Sequence, residues 1–409
     1  MDVITAMEVC VVGLGYIGLP TALMLAAHGV HVTGVDYNAS VVESLNAGFV
    51  TFEEKGLLDL YHKAVRKHIR FTGEYGKADV YIVAVATPYD PISKKVDASF
   101  VVGAVQNVLD HCDDDAIIVV ESTVSPGTID HSIRPLMNSH HRKVHLVHAP
   151  ERIIPGNMIY ELVHNARTIG ADDIRIAQIA REMYASFCKG QIVLTDVRTA
   201  EMSKVVENTF RDINIAFANE LARICHSGGL DVYEIIRIAN LHPRVHILSP
   251  GPGVGGHCIS VDPWFLVGDY PIEARLIRTA REINDSMPAF VLDRAIALMQ
   301  AEGITDTSRL GLYGLTYKED VDDTRESPTL QLLHVCRERH LAPPQIYDPY
   351  VRTTTIENQH QTLGGFLAAC DIVVVMVAHA QIRDNPTLLA DKLVLDTRHM
   401  HGLEHAEHL

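Results

Sequence analysis

A cysteine in a glycine-dense segment is the clearest candidate for covalent chemistry in this sequence. Cys258 ends the run GPGVGGHC, residues 251–258, and Asp262 follows it by four residues. Glycine lets the backbone approach a ligand closely and adopt positive φ, so a glycine-rich turn before a thiol suits a nucleophile held against a substrate. A buried turn with a small apolar cysteine is the alternative interpretation, and the surrounding elements must decide between the two.

Three polar side chains on one predicted helix are the second candidate set. Residues 199–226 have an apolar pattern of helical period and contain neither proline nor glycine, which predicts a long helix. Lys204, Asn208 and Arg211 fall on it at i, i+4 and i+7 and therefore share a face. A helix face with lysine and arginine is usually exposed to solvent. The asparagine between them makes an active-site face a credible second interpretation.

A glycine fingerprint near the N-terminus predicts a dinucleotide site. The run GLGYIG, residues 13–18, lies in a predicted strand–turn–helix–strand context made of Glu8–Val12, residues 21–28 and His31–Val35. Gly13 makes the tight turn, Gly15 admits the pyrophosphate, and Gly18 lets the helix pack on the strand. The helix N-terminus offers N–H groups to the phosphates. Asp36 can accept from both ribose hydroxyls and would repel a 2′-phosphate, so the pattern indicates NAD over NADP.

Further predicted strands place polar residues at the same edge of the sheet. They cover residues 80–85, 116–120 and 144–148. Thr87 follows the first, Thr123 the second, and the pair Glu151 and Arg152 the third. An open α/β sheet binds its ligand at the carboxyl ends of its strands, so both threonines are candidates for contact with the nicotinamide half. Simple turn chemistry explains each threonine equally well.

The rest of the chain predicts a helical middle and a second α/β layer. Helices are predicted at residues 231–239, 273–285 and 288–302, and strands at residues 310–314, 345–347, 371–377 and 393–395. We therefore expect an α/β protein with three domains. They are an N-terminal Rossmann domain over residues 1–198, a central helical domain with the long helix over 199–303, and a C-terminal Rossmann-like domain over 304–409.

Composition excludes some functional classes. The 409 residues include 35 Lys and Arg against 51 Asp and Glu, a formal charge of −16, which argues against general nucleic-acid or membrane binding. The seven cysteines are scattered, with no CxxC pair, which indicates reduced thiols and no zinc site. No signal peptide is evident, and the apolar residues 9–35 fit a strand, turn and helix better than a membrane span. We expect a cytoplasmic protein without a bound metal.

Six motifs in order resemble the UDP-glucose/GDP-mannose dehydrogenase family over nearly the whole chain. They are GLGYIGLP with Asp36, ESTVSPGT, PERIIPGN, the helix with Lys204 and Asn208, GPGVGGHCISVDPWFL and GLTYKEDVDDTRESP. The segments PERIIPGN, RDINIAFANELARIC, LHPRVHIL and GHCISVDPWFL are most similar to members that oxidise UDP-N-acetyl-D-mannosamine. The resemblance implies an NAD-dependent four-electron oxidation of a sugar CH2OH to a carboxylate, without metal, through a thiohemiacetal and a thioester on Cys258.

The resemblance also implies roles for individual residues. Lys204 and Asn208 would stabilise the oxyanion and serve in acid–base chemistry, and Asp262, Glu151 and Thr123 would activate or orient water. The cofactor would contact Gly13, Gly15, Tyr16, Ile17, Gly18, Asp36, Thr87, Thr123 and Arg325. The UDP-sugar would contact Arg152, Ile153, Lys204, Asn208, Arg211, His242, Arg244, Gly255, Tyr317, Lys318 and Arg398. Family members pair through their central helices, so we expect a homodimer or a higher homo-oligomer.

Two other substrates and one non-catalytic function stay open at this point. UDP-N-acetylglucosamine and UDP-glucose are the alternative substrates, since one sequence does not show which epimer the site accepts. A non-catalytic NAD-binding protein is disfavoured, because it would have no physical need to keep Cys258, Lys204, Asn208 and Asp262. The chain departs from the family pattern at Val41, Ala86 and Thr316, where members often have a basic residue, a proline and an alanine.

Overall fold

The computed structural model describes residues 6–90, 93–354, 356–403 and 405–409. The chain divides into two units, Met1–Glu207 and Asn208–Leu409. Each unit is built around its own sheet. The α/β class predicted from the sequence is confirmed, and the three domain boundaries stay predictions.

An eight-stranded sheet forms the first unit, in the spatial order β3-β2-β1-β4-β5-β6-β7-β8. Its strands are β1 (Glu8–Val12), β2 (His31–Val35), β3 (Ile69–Thr72), β4 (Val80–Val83), β5 (Ile117–Val120), β6 (His145–His148), β7 (Arg167–Ala171) and β8 (Ile192–Thr195). Neighbouring strands are parallel except for β6 and β7. The first six strands have the doubly wound order, in which the chain reverses direction across the sheet between β1 and β4 and leaves a crevice at their carboxyl ends.

Strand β1 shows why unbroken apolar runs become central strands. Val9 and Val11 lie in one apolar cluster, whereas Cys10 and Val12 lie in the other. A strand covered on both faces needs consecutive apolar residues. The covering helices are α1 (Gly18–Ala27), α2 (Ala39–Asn46), α3 (Leu57–Val65), α4 (Ser99–His111), α5 (Arg134–Ser139), α6 (Met158–His164) and α7 (Ile174–Ala185), and a π-helical turn, Ile129–Ile133, precedes α5.

The long predicted helix is confirmed as α8 (Val197–Gly228), which has 32 residues. It begins in the first unit and continues in the second. The helices after it are α9 (Val232–Ala239), α10 (Asp262–Asp269), α11 (Arg275–Ala301), α12 (Pro328–Glu338), α13 (Leu363–Ala369) and α14 (Ala380–Arg383). Asp231 caps α9, because its side chain accepts from the N–H groups of Tyr233 and Glu234.

The prediction of two helices at residues 273–285 and 288–302 is wrong, because α11 runs through Pro288 without a break. Proline removes one intrahelical hydrogen bond and usually ends or kinks a helix. Here Met287 and Val291, on either side of it, are fully buried in the apolar core of the second unit. Burial of this face offsets the free-energy cost of the proline in the helix. Sequence signals for helices do not show this, because the burial depends on how the folded chain packs.

The second unit repeats the doubly wound order in a six-stranded, all-parallel sheet, β11-β10-β9-β12-β13-β14. Its strands are β9 (Leu310–Tyr313), β10 (Gln345–Tyr347), β11 (Gln359–His360), β12 (Ile372–Val375), β13 (Leu393–Asp396) and β14 (Glu407–His408). Two short 3-10 helices, Thr307–Arg309 and Pro386–Leu389, complete the unit. The chain reverses between β9 and β12, so a second ligand crevice is expected at their carboxyl ends. None of the helices in the described part of the chain is both apolar enough and long enough to cross a bilayer.

Candidate functional site

The glycine turn after β1 has the geometry of a pyrophosphate cradle. Gly13 has φ +90°, and a Cβ on Gly18 would lie 1.9 Å from the Gly13 carbonyl oxygen, so neither position accepts a side chain. A Cβ on Gly15 would meet no described atom within 4 Å, which leaves open space over the turn. Helix α1 starts at Gly18, and among the described residues no side chain caps its first turn. The helix N-terminus therefore suits a phosphate.

Asp36 is tied to the same turn at the end of β2. Its Oδ2 accepts from the Leu14 N–H at 2.8 Å, and its Oδ1 accepts from the Asn38 N–H at 2.9 Å. An ionised carboxylate has about four acceptor sites, so both oxygens keep capacity for ribose hydroxyls. Thr87 and Thr123 are half-buried in the segments after β4 and β5, at the same sheet edge. These residues fit NAD, and their individual contacts with it stay predictions.

Glu151 is a buried carboxyl at the same edge, in the segment after β6. Only 5% of it is exposed, and its carboxylate accepts from the N–H of Ile153. Burial raises the pKa of Glu151 to about 7, although the Lys204 ammonium opposes this change. Lys204 is itself buried at 7% exposure on α8. A carboxyl that titrates near neutral pH beside a buried ammonium is suited to proton transfer.

Arg152 uses its guanidinium within the first unit. Its Nη1 donates to the Ala166 carbonyl oxygen at 3.0 Å, and its Nη2 donates to Thr168 Oγ1 at 2.9 Å. The same nitrogen lies 2.5 Å from a carboxylate oxygen of Glu207. The predicted contact of this residue with substrate stays a prediction, and these bonds show that the side chain also anchors the PERIIPGN loop.

Cys258 is the cysteine that its surroundings leave partly exposed. All seven cysteines are free, and the other six are buried. The Cys258 carbonyl oxygen accepts from the N–H groups of Val261 and Asp262 at 3.0 and 2.8 Å, so the residue leads directly into the first turn of α10. Asn208 Nδ2 donates to Asp262 Oδ2 at 2.6 Å. The fold therefore brings together three of the predicted catalytic residues, Cys258, Asp262 and Asn208.

The glycines before Cys258 are required by close packing. A Cβ on Gly255 would lie 2.6 Å from both the Glu326 carbonyl oxygen and Tyr317 Cβ. Gly256 has φ +86°, and its N–H donates to the Arg325 carbonyl oxygen at 3.0 Å. The segment thus packs against two of the predicted ligand-binding residues, Tyr317 and Arg325. The role of Cys258 as a nucleophile stays a prediction.

The remaining predicted residues differ in exposure. Arg398 Nη2 lies 3.2 Å from Glu319 Oε1, and Lys318 is half-buried in the loop after β9. Three of the residues predicted to bind the substrate are exposed, namely Arg211, His242 and Arg244. Arg325 pairs with Asp323 at 2.6 Å.

Two glutamates that the sequence does not single out hold the predicted loops. Glu201, on α8, accepts from the N–H groups of Gly127 and Ile129 at 2.7 and 3.0 Å. Glu54 accepts from the Gly156 N–H at 2.6 Å. These partners are between 72 and 102 residues apart in the chain, and an isolated glutamate carries no local signal of such a contact.

Family models match three successive stretches of the chain. They are the NAD binding domain of the UDP-glucose/GDP-mannose dehydrogenase family at residues 7–188, its central domain at 198–286 and its UDP binding domain at 311–402. The chain belongs to this family. It is therefore an NAD-dependent nucleotide-sugar dehydrogenase, as its motifs predict.

Individual relatives agree over almost the full length. UDP-N-acetyl-D-mannosamine dehydrogenase of Methanococcus vannielii is 42% identical over 96% of this chain and 93% of that protein. NDP-N-acetyl-D-galactosaminuronic acid dehydrogenase of Ralstonia nicotianae is 40% identical over 96% of both chains. The structure of the UDP-D-ManNAc dehydrogenase from Pyrococcus horikoshii superposes with a TM-score of 0.90 at 35% identity, over 98% of this chain and 99% of that one.

Proposed function

We propose that this enzyme oxidises UDP-N-acetyl-D-mannosamine to UDP-N-acetyl-D-mannosaminuronate. The observation that carries the proposal is the partly exposed Cys258, which follows the closely packed Gly255 and Gly256. Its carbonyl oxygen accepts from the N–H of Asp262, whose side chain accepts from Asn208. The names of the Methanococcus and Pyrococcus relatives support the substrate.

The proposed chemistry takes four electrons from the sugar C6 carbon. NAD would supply the hydride acceptor when bound: two NAD molecules, used in turn, would each take one hydride, and each oxidation also releases one proton. The CH2OH group first becomes an aldehyde, and the Cys258 thiolate adds to the aldehyde carbon to give a thiohemiacetal. Loss of a second hydride leaves a thioester on Cys258, and water cleaves it to the carboxylate and the free thiol. The thiol is needed because an aldehyde is a poor hydride donor until a nucleophile has added to it.

We assign the proton chemistry to residues whose environments suit it. Lys204 and Asn208 lie one turn apart on α8, and both are buried, so their donors are held ready for a developing oxyanion. Glu151 titrates near neutral pH and is the proposed base for the hydrolytic water, with Thr123 assisting. Asp262 orients Asn208 through their 2.6 Å bond.

We assign substrate recognition mainly to cationic and loop residues of the second unit. The family model for the UDP binding domain covers residues 311–402, which include Tyr317, Lys318 and Arg398. Ammonium and guanidinium groups form strong hydrogen bonds with phosphate oxygens. The other residues proposed to bind the UDP-sugar are Arg152, Ile153, Lys204, Asn208, Arg211, His242, Arg244 and Gly255.

We propose that the enzyme works as a homodimer or a higher homo-oligomer. Phe210, Phe217 and Ile224 recur every seven residues on α8 and are 66%, 48% and 58% exposed. Residues at that spacing lie on one side of a helix, and a contiguous exposed apolar stripe marks an interaction surface. A second copy of the chain, paired through α8, would cover it.

Seven free cysteines fit a reducing, cytoplasmic location.

A substrate panel with product stoichiometry tests the proposal. The panel holds UDP-N-acetyl-D-mannosamine, UDP-N-acetylglucosamine, UDP-glucose and UDP-N-acetylgalactosamine, the last because of the Ralstonia relative. We expect two NADH per molecule of the mannosamine substrate and the highest kcat/KM for it. Turnover restricted to another sugar would reject the substrate assignment.

The nucleophile assignment is tested separately with Cys258→Ser. We expect turnover to stall after limited NADH release, because a serine alkoxide adduct deacylates poorly. Cys225→Ser is the matched control, since Cys225 is buried and has no proposed role. Full activity of Cys258→Ser would exclude Cys258 as the nucleophile while leaving the substrate assignment open to the panel.

A further inference from the structure

Three buried polar residues meet at the switch point of the second sheet. Thr316 follows β9, Asp348 follows β10 and His379 follows β12. They are 0%, 3% and 0% exposed, respectively. The carboxyl ends of β9 and β12 are where this topology places a ligand, yet these side chains are too buried to touch one directly.

Asp348 is the acceptor at the centre of the cluster. Its Oδ2 accepts from the N–H groups of Leu315 and Thr316 at 2.6 and 3.0 Å and lies 3.1 Å from His379 Nε2. Its Oδ1 accepts from the Tyr350 N–H at 2.8 Å. Burial pushes the pKa of Asp348 upward, but hydrogen bonds with His379 and the backbone outweigh it and hold the pKa below its ordinary value. The carboxylate is therefore ionised and fully engaged.

The ring of His379 is held in one tautomer by its two neighbours. The Asp320 N–H donates to Nδ1 at 3.0 Å, so Nδ1 is unprotonated and Nε2 carries the hydrogen that faces Asp348. Asp320 in turn accepts from the Ala380 N–H at 2.8 Å through Oδ1. These bonds tie the loop after β9 to the loop after β12.

Thr316 completes the cluster through its hydroxyl. Its Oγ1 donates to the Lys318 carbonyl oxygen at 3.0 Å and lies 3.3 Å from both Asp348 Oδ2 and His379 Nε2. The turn from residue 316 to residue 320 is thus fixed at Lys318 by the threonine and at Asp320 by the histidine. The side chains of Tyr317 and Lys318, which belong to this turn, are half-buried and therefore remain accessible.

We infer that Thr316, Asp348 and His379 are positioning residues that hold the Tyr317–Lys318 turn in place for the diphosphate of the nucleotide-sugar. The inference rests on the proposed function, because that function assigns the turn to substrate. The same turn supports the cysteine segment, since a Cβ on Gly255 would lie only 2.6 Å from Tyr317 Cβ. A displaced turn would therefore weaken substrate binding and also disturb the approach to Cys258.

The test compares Thr316→Val with Thr316→Ser in the full-length protein. Valine keeps the shape but removes the hydroxyl, whereas serine keeps the hydroxyl. Loss of one such hydrogen bond is expected to raise the Kd for UDP, measured by calorimetry, and the KM for the UDP-sugar about five-fold. The KM for NAD should stay unchanged, because all residues predicted to contact the cofactor except Arg325 lie in the other unit. Serine should restore values close to wild type.

A second pair of variants tests the histidine. The amide oxygen of His379→Asn can replace Nδ1 as the acceptor for the Asp320 N–H, whereas His379→Leu cannot. We expect the asparagine variant to bind UDP more tightly than the leucine variant. Equal weakening by both would overturn the assigned role of Nδ1.

The outcomes separate this inference from the proposed function. If the wild type binds UDP and Thr316→Val binds it equally well, the positioning role is wrong and the function stands. If Thr316→Val raises both KM values and lowers Tm together, the effect is a general defect and the positioning role is also wrong. Failure of the wild type to bind UDP or oxidise any UDP-sugar would reject both.

Discussion

Replacing Glu151 with glutamine should change how the stability of the enzyme depends on pH. The carboxyl titrates near 4.5 in the unfolded chain and near 7 in the folded protein, where burial disfavours its charge. Between these values the unfolded chain has released a proton that the folded protein keeps, so the free energy of unfolding falls as pH rises from about 4.5 to about 7. Each unit of pKa change corresponds to about 1.4 kcal/mol. The rise of the Glu151 pKa from 4.5 to about 7 therefore lowers the free energy of unfolding by about 3 kcal/mol over this pH range.

Denaturant unfolding of the wild type and Glu151→Gln between pH 4.5 and 8.5 measures this effect. Glutamine stays neutral throughout and can still accept from the Ile153 N–H, so other titrating groups cancel in the comparison. We expect the difference in unfolding free energy to shift in favour of glutamine by about 3 kcal/mol across this range and then to level off. A difference that does not vary with pH would refute the reasoning. In kinetics, the wild-type kcat should fall below pH about 7 as the proposed base becomes protonated, and the variant should lack this limb.

Three further predictions concern the cofactor, the glycine segment and the α8 stripe. Asp36→Ala should shift the ratio of kcat/KM for NAD over NADP towards NADP by about tenfold or more, because it removes repulsion of a 2′-phosphate; an unchanged ratio would remove Asp36 from the ribose site. Gly255→Ala should lower the unfolding free energy by about 1–3 kcal/mol through overpacking, whereas Gly364→Ala, whose Cβ meets no described atom within 4 Å, should not; equal effects would contradict the close contact. Phe217→Glu should lower the molecular mass measured by sedimentation, because it would disrupt pairing through α8. Phe100→Glu should not, because Phe100 lies outside the stripe although its side chain is similarly exposed, at 49% against 48% for Phe217. A lower mass for neither variant, or for both, would count against pairing through α8.

Local chemistry allowed the sequence to predict the cofactor turn and much of the strand pattern. The strands Glu8–Val12, His31–Val35 and Gln345–Tyr347 have the predicted bounds. Gly13 and Gly18 do what the fingerprint requires of them, because a tight turn and a strand–helix contact are decided by atoms within a few residues. The alternation of apolar runs with glycine and proline likewise indicated two α/β layers and the helix between them.

Features that depend on distant partners were decided only by the tertiary structure. Pro288 lies inside a continuous helix because the core buries the residues around it. The Asn208–Asp262 bond joins residues 54 positions apart.

The same holds for protonation and for the buried cluster of the second sheet. The near-neutral titration of Glu151 comes from burial rather than from its neighbours in sequence. His379 and Asp348 lie 31 residues apart and meet because two loops leave adjacent parts of one sheet. Backbone sterics and periodicity act over a few residues and can be recognised in a sequence, whereas desolvation and side-chain pairing depend on which surfaces the folded chain brings together.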